Sequence, residues 1–183
     1  KYLNETEIRG LVVHVRNITE NLALEEKTRL LINYDQLTGL ANHLYLKNKL
    51  EECCSREKRL TDIVLYMLDI DSYKHLRDTL GCHTADKLLI ETANRLKKLS
   101  GKGIFVSRCL DDRFVIINEN LKSKDEYRIF AEEILKALAE PLQIDQLEMN
   151  LDFSLGISAC YYNNYSGEDL IKAAEKALYF AKI

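Results

Sequence analysis

TDIVLYMLDID, residues 61–71, runs through six apolar residues, Ile63 to Leu68, and stops at two carboxylates, Asp69 and Asp71. An apolar run this short, with β-branched and aromatic members, reads as a mostly buried strand. Side chains alternate along an extended segment, so Asp69 and Asp71 share one face of its end. Two further short apolar segments, GIFVSR at 103–108 and RFVIIN at 113–118, flank the turn CLDD and read as a hairpin. The same sheet can therefore bring Asp112 from that hairpin toward Asp69.

Working outward, the polar loop YDQLTGLAN (34–42) ends at Asn42, which is placed to cap a helix running to about Arg59. From His83 onward, Ala85, Leu88, Leu89, Ala93 and Leu96 recur at helical spacing. Ser123 and Glu126 form a capping-box pattern for a helix to about Glu140, stopped by Pro141. MNLDFSLGISA (149–159) supplies another strand. Ser166 and Asp169 then cap a last helix carrying Leu170, Ala174, Ala177, Leu178 and Ala181. Helices alternating with strands around a central hairpin predict an α+β domain, with helices flanking one mostly antiparallel sheet.

Ahead of this domain, IRGLVVHVRNI (8–18) alternates as a strand that has no partner of its own, so it reads as the end of a missing sheet. Residues 19–33 read as a helix opened by Thr19. That helix joins two domains or pairs with its copy in a dimer, or else packs on its own domain. The boundaries are thus 1–18, 19–33 and 34–183.

The 26 basic and 29 acidic residues give a formal charge of −3 and no long basic block, which disfavours nucleic acid as a partner. No apolar run is long enough to cross a bilayer, so this stretch is expected to make no direct membrane contact. Membrane association of a longer parent chain stays open. Five cysteines at irregular spacing suggest neither a disulfide framework nor a metal cluster, and a reducing cytoplasm fits them best. The four histidines form no metal-ligand pattern.

Asp69, Asp71 and Asp112 leave two readings open. Carboxylates converging at strand ends can hold Mg²⁺, which favours a few carboxylates together with substrate phosphates. Acidic strand ends are also commonly no more than solvated surface.

Taken in order, DQLTGLAN, LDIDSYKHLRDTLGCHTADKLL, RCLDDRF, and SLGIS followed by AAEKALYFAK resemble the motifs of the diguanylate cyclase family, whose domain is named for its Gly-Gly-Asp-Glu-Phe (GGDEF) signature. The likeness runs from Tyr34 to Ile183. The segment before it resembles the last strand of a PAS-like sensor followed by a signalling helix. The resemblance implies a palm-like nucleotide-cyclase fold in which two facing protomers each hold one GTP, so that two GTP become cyclic di-GMP and two pyrophosphate. It also implies that Asp69, Asp112 and the main-chain carbonyl of Ile70 stand at metal-binding positions. Lys74 and Lys182 match phosphate-facing positions, and Asp86 matches the acidic partner of the guanine base.

The signature itself is degenerate: Leu110, Asp111, Asp112, Arg113, Phe114. Leu110 and Asp111 stand where the family has glycines, Arg113 where it has glutamate, and Arg77 where an asparagine meets the base. An arginine offers donors only and stays protonated, so it cannot ligate a metal or accept a proton. The family's product-inhibition motif is replaced by GKGI (101–104). These departures together imply a catalytically silent signalling domain. Its expected partners are an upstream PAS-like sensor and either a second copy or a neighbouring output domain, with GTP as a retained ligand and Mg²⁺ only alongside it. The alternative is a weak or atypical cyclase.

Overall fold

The computed structural model describes residues 27–55, 62–160 and 166–183. The strand expected at 8–18 and the first part of the helix at 19–33 lie outside the described residues. Residues 27–33 are helical (α1). There follow α2 (His43–Ser55), β1 (Ile63–Ile70), α3 (Tyr73–Leu80), α4 (Cys82–Lys97), β2 (Ile104–Leu110), β3 (Arg113–Asn118), α5 (Lys124–Leu138), β4 (Leu142–Ile144), β5 (Leu147–Met149), β6 (Phe153–Cys160) and α6 (Gly167–Ala181).

β1 is central in a four-stranded sheet of order β2-β3-β1-β6 in which every pairing is antiparallel. All eight of its residues are buried, because both faces of the sheet are covered. Val64, Tyr66, Leu68 and Ile70 join Phe114 and Ile116 in the core built with α4 and α5. Ile63, Leu65 and Met67 join Val115 and Ile117 in the core built with α2 and α6. Strand alternation continues that second face to Asp69 on β1 and to Arg113 on β3. The palm-like α+β plan is as expected. Among the described residues no helix is long and apolar enough to span a membrane.

Local chemistry explains the helix ends. Asn42 Oδ1 accepts from Tyr45 N at 3.0 Å and starts α2; the expected continuation to Arg59 lies outside the described residues beyond Ser55. Ser166 and Asp169 form a complete capping box on α6. On α5 only half of the expected box forms: Ser123 accepts from Glu126 N, while the Glu126 carboxylate takes the Lys122 N–H at 2.6 Å. That helix ends at Leu138, two residues short of expectation. The buried Arg95 of α4 donates to the carbonyls of Leu138 (3.4 Å), Glu140 and Pro141 (2.7 Å), satisfying groups that a longer helix would have bonded internally.

Two elements were not foreseen. α3 is a separate two-turn helix that begins after Ser72, a residue in the left-handed region (φ 57°), and is divided from α4 by Gly81 at φ 82°. The β4–β5 hairpin turns at Asp145 (φ 54°) and packs Leu142 and Ile144 on Leu88 of α4. It takes Met149, so the strand expected from 149 begins only at Phe153.

Sheet and helix approach closely at Gly156. A Cβ there would collide with the Ala174 carbonyl and the Leu178 backbone of α6. Gly156→Ala is therefore expected to destabilise by about 2 kcal/mol or more, read by urea unfolding. In the same assay Thr92→Val should stabilise by about 1 kcal/mol, because the Thr92 hydroxyl is fully buried on α4 and has no hydrogen-bond partner among the described residues.

Candidate functional site

The β1–β3 register sets Asp69 directly across from Arg113. Arg113 Nε donates to Asp69 Oδ2 at 3.3 Å, and the Lys182 ammonium pairs with Oδ1. Lys182 reaches this point because Leu170, Ala174, Leu178 and Lys182 lie four residues apart on one stripe of α6 and the turn that follows it, with the first three in the core. It also stands 4.0 Å from Asp71. Asp71 lies just past the end of β1 and accepts from Ser154 Oγ at 2.8 Å, so the two aspartates meet one lysine although only Asp69 is in the strand. Glu175 of α6 flanks Arg113 on its other side, 3.7 Å from Nη1.

The β2–β3 hairpin supplies the rest of the signature. A register shift between Arg108 and Leu110 marks a bulge, after which Leu110 is 60% exposed at the turn. Asp111 sits at φ 41°, in the region that favours glycine and is next best tolerated by asparagine and aspartate. The Phe114 ring is fully buried in the α4/α5 core and anchors the turn. Burial pushes the Asp112 carboxyl above the usual aspartate range, and the Asp69 charge pushes it further, with Lys182 opposing.

Arg77 of α3 lies over the Tyr73 ring at 6.0 Å. Burial raises the Tyr73 phenol, with the charges of Asp86 and Asp112 acting in the same direction and those of Arg108 and Arg77 opposing. Asp86 is half-buried on α4 and Lys74 is exposed on α3. Ile70 is fully buried opposite Phe153.

Three contacts went unnoticed in the sequence. Arg108 donates to Asp35 Oδ1 (3.0 Å) and Oδ2 (3.1 Å) and, through Nε and Nη2, to the Asp111 carbonyl (2.9 and 2.6 Å). One guanidinium thus ties the loop after α1 to the signature turn, and Ala41 of that loop bonds β2 directly through Arg108 N at 2.8 Å. Glu175 is the second, and the third is His43 Nδ1 at 3.0 Å from Cys109 Sγ. A charge-bearing arginine two residues before the turn was a visible signal for the first; nothing local pointed to the others.

A resident Mg²⁺ does not fit these residues as they stand. Both oxygens of Asp69 already face cationic donors, and among the described residues no three His, Cys, Asp or Glu side chains converge at metal-holding range.

Comparison with known proteins agrees with the architecture. Residues 32–183 match the family described as diguanylate cyclase, GGDEF domain. An "Uncharacterized signaling protein" of Caulobacter vibrioides is 33% identical over 181 residues, covering 96% of this chain and 22% of that protein; the chain thus spans about a fifth of the relative's length. A solved sensory box/GGDEF family protein from Caulobacter crescentus superposes with a TM-score of 0.75 at 29% identity, over 82% of this chain and 97% of that one. The coiled coil and GGDEF domain of DgcB from Caulobacter crescentus, solved in complex with c-di-GMP, gives a TM-score of 0.79 at 26% identity, over 89% and 87%.

The Asp35 clamp has a pH signature. Burial pushes the Asp35 carboxyl up, but hydrogen bonds from Thr38 and the pairing with Arg108 outweigh it and leave the group below its ordinary value. A depressed carboxylate adds stability that is present above the unfolded value, near pH 4, and is lost as pH falls through the folded one. Asp35→Asn is expected to cost up to about 1 kcal/mol at pH 7. The gap from wild type should close below about pH 4 in thermal melts across pH.

Proposed function

Because the chain belongs to the diguanylate cyclase GGDEF domain family of cyclic di-GMP signalling, we propose that it is a non-catalytic member, transmitting the state of an upstream sensor to a partner rather than joining GTP. The observation that carries this reading is Arg113 against Asp69: a guanidinium stands where the family motif has glutamate and engages the carboxylate that the chemistry needs. Phosphoryl transfer depends mainly on placing the phosphates and neutralising their charge. Leu110 adds bulk at the edge of the site where a glycine would admit a ligand closely. Arg77 offers the guanine no acceptor. Placement, neutralisation and base recognition are all altered together.

The transmitting path runs from α1 through the 34–42 loop, where Asn42 N donates to the Asn33 carbonyl at 2.8 Å, and on through Arg108 to the signature turn. A PAS-like sensor would drive it, and a second copy or an output domain would receive it. Residual GTP contact rests on Lys74 and Asp86, which keep their family identities on α3 and α4.

Incubation with GTP and Mg²⁺ or Mn²⁺, followed by product chromatography, is expected to yield no cyclic di-GMP. Product that disappears in Asp69→Ala and Asp112→Ala would overturn the reading. Replacing Leu110 and Asp111 by glycine is expected to leave turnover absent. Adding Arg113→Glu and Arg77→Asn should move the site toward product formation.

A further inference from the structure

Asp69 is 4% exposed, and burying a carboxylate charge is costly unless a counter-charge stands beside it. A divalent cation is one way to supply that charge. This chain supplies it covalently. Arg113 enters from β3 directly across from Asp69, and its Nη1 is held from the far side by Glu175 of α6, so the guanidinium lies between anions from two different elements. The Glu175 contact is half-exposed and serves to orient the guanidinium; the charge counts most at the Asp69 end, where water is excluded. Lys182 covers the remaining Asp69 oxygen.

We propose that Arg113, positioned by Glu175, is a built-in counter-ion standing in for a divalent cation, so that this centre excludes Mg²⁺ and Mn²⁺ and acts as a fixed tie between β1, β3 and α6. Mg²⁺ requires oxygen ligands at about 2.1 Å in near-octahedral order, and the lone pairs of Asp69 that would serve point at N–H donors. A metal would have to displace a guanidinium held at both ends and then sit beside it. Restoring glutamate at this one position removes the competing cation and adds a ligand next to Asp69 and Asp112. The inference rests on the non-catalytic reading but concerns metal, which can be measured without turnover.

The test is Mn²⁺ binding without nucleotide, followed by the paramagnetic resonance signal of free Mn²⁺, together with thermal melts in Mn²⁺ and in chelator. Wild type is expected to take up no Mn²⁺ and to melt identically in both. Arg113→Glu should melt lower in chelator, recover with Mn²⁺, and bind it about tenfold or more tighter than wild type, an advantage lost in Arg113→Glu/Asp69→Asn. Arg113→Gln, which removes the charge without adding a ligand, and Glu175→Gln, which loosens the guanidinium, should each raise Mn²⁺ uptake part of the way. Those variants also keep the test decisive if Arg113→Glu fails to fold. Wild-type Mn²⁺ binding that Asp69→Asn abolishes would overturn the proposal, as would Arg113 variants that bind no better than wild type. Wild-type metal binding without cyclic di-GMP sinks this inference alone, whereas wild-type cyclic di-GMP sinks the functional reading beneath it.

Discussion

Burying a carboxylate at the end of a strand that is covered on both faces constrains everything placed around it. β1 fills both cores with alternate side chains, and that alternation aims Asp69 at α6. With 4% of its surface exposed, Asp69 must be matched by positive charge, and the neighbours that can supply it are those that register and helix phase bring there. Arg113 arrives by antiparallel pairing and Lys182 by sitting one turn beyond Leu178. Neither could shift by one residue without sending apolar neighbours out of the α2/α6 core.

Arg108 plays a comparable part on the other side of the hairpin. It spans the loop after α1 and the Asp111 carbonyl, so the position of α1 and the shape of the signature turn are not independent. The bulge before Leu110 and the left-handed Asp111 give the turn a conformation that a different strand ending would not reach. Aspartate keeps the backbone that a glycine would adopt there, while its side chain changes the surface presented. The hairpin can therefore retain its path with an altered signature.

The sheet and most helices were legible because their signals are local. The unbroken apolar run of β1, the Asn42 and Ser166 caps, and the 85–96 stripe each sit within one element. The misses have local reasons as well. Tyr73, Leu76 and Leu80 carry a helical spacing, but the preceding aspartates draw attention to a strand end. The β4–β5 turn is Asp-Gln, without the glycine that marks a tight hairpin in sequence. The site divides similarly. Asp69, Asp112, Arg113 and Lys182 follow from motif order, whereas their pairing does not, since it depends on register and on the phase of a helix more than sixty residues away. Glu175 belongs to that second kind, and nothing local marks it, whereas the Asp35 contact had a local signal only in Arg108.

Retaining the framework while inverting one charge is physically economical. Removing Asp69 would disturb the end of β1, because its neighbours Leu68 and Ile70 are fully buried and the strand is paired on both edges. Arginine at position 113 of β3 satisfies that carboxylate from a half-exposed site, with its side chain reaching between β1 and α6. Arg113 and Lys182 together place two positive charges on Asp69 from the chain itself. On the other side of the hairpin Arg108 bonds Asp35 and the Asp111 carbonyl at once, so a displacement of the loop after α1 is felt at the turn that carries Arg113.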